Sequence, residues 1–267
     1  MIIDSHAHLS DERLIGRVGE ICDGLDKEGI AAVFEVGYDL DSSKSALTLA
    51  ERYDKIFAII GTHPHDADKY DAECEEFYLS HACNRKVIAI GEIGLDYFYD
   101  KSARDIQRDV FARQIELADR VNLPIVLHIR DAYGDAIDIL NAQRSKLNSG
   151  VLLHCYSSSA EMIKQFNKFD CYYALGGAIT FKNAKKDDVI LSIPENRLLV
   201  ETDCPYMTPV PFRGQPNEPK YVNLVVDKIA QVKGIERKKI EEMTLDNTKR
   251  LFFKYVNQID RLLHTQN

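Results

Sequence analysis

Residues 124–131 read P-I-V-L-H-I-R-D. Four apolar residues run into one imidazole, and how that run is buried decides the fold. A strand with one wet face alternates apolar and polar side chains. Pro124-Ile125-Val126-Leu127 does not alternate, so both of its faces are covered, and Phe57-Ala58-Ile59-Ile60 has the same character. Strands of this kind belong to parallel sheets sheathed by helices. Working outward, strands are predicted at Met1–Asp4, Ala31–Val36, Ile56–Gly61, Val87–Glu92, Pro124–His128, Val151–His154, Cys171–Leu175 and Leu198–Glu201. Between them lie helical patterns at Arg17–Glu28 (stopped by Gly29), Ser43–Tyr53, Ala103–Val121, Asp135–Gln143, Ala160–Phe169 and Asp187–Ser192. Three more follow the last strand, at Tyr221–Val232, Glu236–Met243 and Asp246–Val256. In the stretch Arg104–Val121, helical spacing sets Ile106, Val110, Gln114, Leu117 and Val121 on one face. Eight strand–helix units in 267 residues predict a single (β/α)8 TIM barrel domain spanning residues 1–267, with Pro205 to Pro219 as a long loop after the last strand. An open doubly wound sheet would place a Gly-rich phosphate loop after strand 1, where SHAHLSD stands instead.

Composition narrows the class. An apolar fraction of 45% and a charged fraction of 28% are those of a globular chain. No apolar run approaches the roughly 18 residues that span a bilayer, and no secretory leader is expected before the first strand. The six cysteines form no C-x-x-C pair, which reads as reduced thiols in a cytoplasmic protein. The net charge of −8 argues against tight, nonspecific binding to duplex DNA. It leaves room for a nuclease, because bound cations invert the local charge. No membrane contact and no obligate protein partner are expected.

The apolar runs repeatedly end in a metal-ligand type. Strand 1 ends in His6 and His8, strand 3 in His63 and His65, and strand 4 in Glu92 and Asp96. Strands 5 and 6 end in His128 and His154, and strand 8 in Glu201 and Asp203. One H-x-H is weak evidence, since the chain holds two. Six strand ends converging on one barrel rim are strong evidence, because that rim is where such enzymes keep their chemistry. His81 and His264 stand in polar surroundings and read as surface residues. The ligand set His6, His8, Glu92, His128, His154 and Asp203 exceeds what one catalytic zinc takes, and suits two divalent ions. Glu92, with two oxygens and a central strand, is the natural bridge. His6, His8 and Asp203 are then expected on one ion, and His128 and His154 on the other. Four imidazoles favour zinc, while the carboxylates and a phosphate substrate allow manganese or magnesium.

The succession D-S-H-A-H-L, G-T-H-P-H, G-E-I-G-L-D-Y, P-I-V-L-H-I-R-D-A, L-L-H-C-Y-S and V-E-T-D-C-P-Y resembles the TatD-type deoxyribonucleases of the amidohydrolase superfamily. The likeness runs from Asp4 to the N-T-K-R-L-F segment. It implies a metal-dependent barrel hydrolase cleaving DNA phosphodiesters, often as a 3′-to-5′ exonuclease, through a water activated by two metals, with single strands or 3′ ends as substrate. It implies the same six metal ligands, with His63 near the scissile phosphate. Two departures stand out. Where the family reads H-C-F-S-G, this chain has His154-Cys155-Tyr156-Ser157-Ser158. Where it reads R-G-K-R-N-E-P, this chain has Arg213-Gly214-Gln215-Pro216-Asn217-Glu218-Pro219, which lacks two basic residues. An ester or small-molecule hydrolase of lactonase or aminoacyl-tRNA deacylase type, on the same metals, is therefore the alternative.

Roles follow from side-chain chemistry. Asp203 is expected to orient the water or take its proton, or to serve only as a ligand. His63 is placed to donate to a phosphate or leaving-group oxygen, and His65 is read as structural. Arg213 offers a bidentate phosphate clamp. Arg130 and Asp131 are expected to pair beneath the rim. Tyr97, Phe98 and Tyr99 either stack bases or pack on the barrel. Alternation turns Cys155 toward the helices, so Cys155 and Cys204 both read as buried thiols. Asp4 is expected to orient an imidazole.

Overall fold

In the computed structural model, which describes residues 1–252, eight strands follow one another around a single sheet, each parallel to the next. They are β1 (Ile2–Ala7), β2 (Ile30–Val36), β3 (Ile56–Ile60), β4 (Val87–Asp96), β5 (Ile125–Arg130), β6 (Val151–Leu153), β7 (Tyr172–Leu175) and β8 (Leu198–Val200). The helices are α1 (Val18–Gly24), α2 (Leu40–Arg52), α3 (Ala72–His81), α4 (Arg104–Val121), α5 (Tyr133–Ala142), α6 (Ala160–Phe166), α7 (Asp187–Ser192), α8 (Val222–Lys233) and α9 (Arg237–Leu251). This is the predicted (β/α)8 barrel. Strands β1, β2, β3 and β4 are buried along their whole length, as two covered faces require.

The seam between β8 and β1 closes just past the strands. Ala7 bridges Cys204, the Asp203 amide donates to the His6 carbonyl (2.9 Å), and the His8 amide donates to the Cys204 carbonyl (2.7 Å). Deeper in the seam, the Asp4 carboxylate accepts from the Thr202 amide (2.8 Å) and hydroxyl (2.6 Å). Asp4 thus locks the entry to Asp203 rather than orienting an imidazole, and burial pushes its carboxyl up to about 8 against those two hydrogen bonds.

Helix α4 shows how polar side chains can build a core. Its buried face is Gln107, Val110, Phe111, Gln114, Ile115, Leu117 and Ala118; of the predicted face Val110, Gln114 and Leu117 are buried and Val121 packs on the core, and Ile106 alone is exposed. Gln114 accepts from the Thr62 amide (2.8 Å) and donates to the Thr62 carbonyl (2.9 Å). Gln107 accepts from the Asp96 amide (2.9 Å) and donates to the Ser102 carbonyl (2.8 Å). The two amides satisfy backbone groups where β3 and β4 run out of sheet partners, which left unpaired would each cost about 1–3 kcal/mol.

Helix α3 carries no prediction. It buries only Cys74 and Tyr78 among acidic residues, and its start depends on Asp71, whose side chain accepts from the Cys74 amide. Helix α9 is one helix where two were predicted. Its buried Thr244 and Thr248 donate back to the Ile240 and Thr244 carbonyls, so these polar residues sit inside a helix without breaking it. The predicted tail of that helix, residues 253–256, and His264 lie outside the described residues. Among the described residues no helix is long and apolar enough to cross a membrane.

Candidate metal centre

The six predicted ligands and His63 meet at the C-terminal mouth of the barrel. Glu92, buried in β4, stands at the centre. Its Oε2 lies 3.4 Å from His6 Nε2 and 3.9 Å from His8 Nε2. Its Oε1 lies 2.7 Å from His154 Nε2, 2.9 Å from His128 Nδ1 and 3.6 Å from His63 Nε2. Asp203 Oδ1 completes the first group, 3.5 Å from His8 Nε2 and 4.0 Å from His6 Nε2. Three sets of ligand atoms each fall within 4.8 Å of one another: His6, His8 and Asp203; His6, Glu92 and His154; and His63, Glu92 and His128.

His8 and His128 are each oriented by their other nitrogen. His8 Nδ1 donates to the Val36 carbonyl (2.9 Å), so in the neutral ring Nε2 turns a lone pair inward. His128 Nε2 faces Asp96 Oδ2 at 3.0 Å. His63 is the exception. Its Nδ1 accepts from the His65 amide (3.0 Å), so a neutral His63 carries its proton on Nε2, the atom aimed at Glu92. Burial, then the charge of His128, hold His63 well below the usual imidazole range. His63 therefore presents a hydrogen-bond donor to the centre, not a lone pair. His6 and His154 stack at 3.9 Å, and the Nδ1 atoms of both are buried without a hydrogen-bond partner.

The electrostatics call for positive charge. Burial alone would raise Glu92, yet His154, His63 and His6 hold its carboxyl well below the usual range. Burial would lower His8, but its hydrogen bond to Asp203 and the charges of Asp203 and Glu92 raise it to about 9. The same balance, with Glu92 foremost among the raising groups, lifts His154 well above its ordinary value. Protons thus gather where the acceptors converge. A divalent ion fits the same place. Ligands at the 2.0–2.1 Å typical of tetrahedral zinc lie about 3.3–3.4 Å apart. His6 and His8 are separated by 3.3 Å between their Nε2 atoms, and so are His128 Nδ1 and His154 Nε2.

Around this centre, several side chains do work that apolar periodicity hides. Glu35, in the midst of buried β2, accepts from the Leu9 (2.5 Å) and Ser10 (2.9 Å) amides and so fixes the turn after His8. A charged residue inside an otherwise apolar run was the signal for it. Glu201 Oε1 accepts from the Cys155 amide (2.6 Å) and lies 3.6 Å from His154 Nδ1. Asn217 donates to the Thr202 (2.8 Å) and Tyr206 (2.7 Å) carbonyls and pins the long loop behind Asp203. Gly94 has φ +138, and a Cβ there would lie 2.1 Å from the His128 carbonyl oxygen, so only glycine lets β4 pass β5 at this height.

Other residues differ from expectation. Arg130 makes no pair with Asp131; its guanidinium lies 3.8 Å from the Phe98 ring centre and 4.9 Å from that of Tyr99. Phe98 and Tyr99 are exposed, whereas the Tyr97 hydroxyl donates to Asp135 (2.6 Å). Cys155 is not under the helices. β6 ends at Leu153, Cys155 adopts φ 42, and alternation no longer applies. The residue is partly exposed, and its thiol is raised by burial and by the charges of Asp203, Glu201 and Glu92. Cys204 is buried as expected. The Arg213 guanidinium stacks on Phe181, 3.7 Å from the ring centre. His65 is held by Asp96 (2.9 Å), and His81 hydrogen-bonds the Phe77 carbonyl (2.9 Å) at the end of α3.

The family model of TatD-related DNases matches residues 3–253. YabD of Bacillus subtilis, described as an uncharacterized metal-dependent hydrolase, is 43% identical over 253 residues, covering 94% of this chain and 99% of that one. YcfH of Escherichia coli K12, described in the same words, is 32% identical over 256 residues and is covered to 95%, against 94% of this chain. The crystal structure of YjjV, a TatD homologue from Escherichia coli K12, superposes with a TM-score of 0.88 at 30% identity, covering 94% of this chain and 97% of that chain.

Proposed function

The chain belongs to the TatD-related DNase family and is a metal-dependent hydrolase; from that premise we propose that it cleaves phosphodiester bonds of DNA, at single-stranded or 3′ ends, with two divalent ions. The observation that carries this reading is the division of Glu92. One oxygen faces His6 and His8 beside Asp203, and the other faces His128 and His154. A carboxylate so divided suits a bridge between two cations, with His6, His8 and Asp203 on one side and His128 and His154 on the other. Bound there, divalent cations supply Lewis-acid charge for a developing phosphoryl anion and acidify a water.

The protein's own groups supply the rest. Asp203 is the least buried carboxylate at the centre, 15% exposed, and burial is outweighed by His8, which holds it ionised. An ionised, partly open carboxylate suits the acceptor role for the proton of an attacking water. His63 Nε2–H points at the centre without being needed as a ligand, which suits donation to a phosphate oxygen. Exposed Phe98 and Tyr99 at the mouth suit stacking of bases, and Arg213 on its loop adds charge for the backbone.

The test is hydrolysis of end-labelled single-stranded DNA by protein loaded in turn with zinc, manganese or magnesium, with Asp203→Ala as control. Shortened products from the wild type alone support the reading. Absence of cleavage with every metal sinks it, and turnover of lactones or aminoacyl esters in its place would favour the ester-hydrolase alternative.

A further inference from the structure

We propose that Asp96 is a positioning residue: it selects the tautomer of His128 and so decides that Nδ1, not Nε2, faces the metal centre. The inference rests on the reading of His128 as a metal ligand. Asp96 is the last residue of β4 and is fully buried. Its two oxygens divide their work. Oδ2 lies 3.0 Å from His128 Nε2 and 2.9 Å from His65 Nε2. Oδ1 accepts from the amides of Phe98 (3.0 Å) and Tyr99 (2.9 Å). An ionised carboxylate only accepts, so the ring nitrogens that face it must be protonated. A neutral His128 has one N–H. Spent on Asp96, it leaves the Nδ1 lone pair free, 2.9 Å from Glu92 Oε1 and 3.3 Å from His154 Nε2. The opposite tautomer would block Nδ1 with a proton and aim a lone pair at a carboxylate.

Asp96 is itself held firmly. Its amide donates to Gln107 Oε1 (2.9 Å), and Gln107 reaches back to the Asp96 carbonyl (3.3 Å) from helix α4. His8 solves the same problem with a main-chain acceptor, the Val36 carbonyl, which no substitution removes. His128 relies on a side chain, which makes its orientation open to test. The second oxygen gives the arrangement a further property. It anchors the turn bearing Phe98 and Tyr99, so one carboxylate joins a ring of the metal centre to the aromatic edge of the mouth.

Asp96→Asn keeps the shape and removes the double acceptor. An amide has one oxygen and one NH2. Turned toward the Phe98 and Tyr99 amides, its oxygen leaves the NH2 against the two rings and drives His128 toward the Nδ1–H form. Turned the other way, the NH2 meets two backbone N–H groups. Zinc affinity of the full chain, measured by competition with a chromogenic chelator, is expected to weaken about tenfold to hundredfold in Asp96→Asn. His65→Gln removes the other ring on the same oxygen and is expected to leave zinc affinity within about threefold, since the His128 bond to Asp96 stays in place. In zinc-loaded wild type, long-range 1H–15N correlations of labelled histidine should show His128 protonated at Nε2, a readout that needs no variant to fold. Protonation at Nδ1, unchanged zinc affinity in Asp96→Asn, or an equal loss in His65→Gln would each overturn the assignment. If the wild type itself takes up no zinc, manganese or magnesium, the metal-centre reading fails and the Asp96 role falls with it. Zinc-binding wild type with an indifferent Asp96→Asn sinks the Asp96 role alone.

Discussion

Replacing His63 by asparagine separates a substrate contact from a metal ligand. The asparagine amide oxygen sits near where Nδ1 was, so it can still accept the His65 amide that Nδ1 accepts at 3.0 Å. What disappears is Nε2 and its hydrogen, 3.6 Å from Glu92. If that N–H meets a phosphate oxygen in the reaction, the loss is one hydrogen bond to a charged group, about 1.5–3 kcal/mol. At about 1.4 kcal/mol per tenfold, kcat/KM on end-labelled single-stranded DNA should fall about 10- to 150-fold. Zinc affinity should stay within about twofold, because a nitrogen that carries a proton donates nothing to a cation. Both quantities can be read on one preparation, by gel kinetics and by chelator competition. A large loss of zinc affinity would refute the tautomer assignment and make His63 a ligand. Unchanged kcat/KM would remove it from the reaction altogether.

Three further outcomes are expected. Asn217→Ala strips hydrogen bonds from the Thr202 and Tyr206 carbonyls and should cost about 2–4 kcal/mol in urea unfolding of the metal-free protein, with kcat falling as Asp203 loosens; stability within 0.5 kcal/mol of wild type, a limit of about the size of ordinary surface effects, would contradict the buried role. Gly94→Ala forces a Cβ against the His128 carbonyl and should weaken zinc binding while lowering stability by about 3 kcal/mol, which the same titrations would check. His8, raised to about 9, holds a proton in the metal-free protein at about pH 7.5, and ligation needs the ring deprotonated. Zinc uptake there should release at least one proton, visible as a buffer-dependent heat in calorimetry, and a heat independent of buffer would rule this out. The linkage sign follows from the same shift: a raised imidazole stabilises the metal-free fold below about pH 6.5, and that contribution is lost as pH rises through about 9.

The barrel was readable from its strands because parallel strands buried on both faces write uninterrupted apolar runs, and β5 ends its run in His128. The meeting of His6, His8, Glu92, His128, His154 and Asp203 was readable for the same reason: each interrupts or follows such a run. Less was visible where polar side chains do structural work. Gln107 and Gln114 stand on the inner face of α4 because they satisfy strand-end backbone; helical spacing placed Gln114 there, but a count of apolar positions passes over Gln107 and takes the exposed Ile106 instead. Thr244 falls between the two predicted segments and makes α9 look broken, while the buried Asn247 amide donates to the Glu195 and Leu198 carbonyls. Cys155 and Asp203 lie beyond their strands with φ 42 and φ 56, where the two-residue alternation that predicts orientation has ended. Asp96 could be listed as a strand-end acid, but its bonds to His65 and His128 depend on three strands meeting, which no local pattern records.

The seam at Asp203 and His8 has a consequence for how the protein is made. His6 and His8 come from the first strand, and Asp203 arrives only after the last one, through the contact that shuts the cylinder. Glu92, His128 and His154 all precede that contact in the chain. A chain cut short before residue 203 carries these three groups but never completes the first set. The seam therefore acts as a proof of completeness. Closure of the barrel and completion of the first group of candidate ligands depend on the same contact.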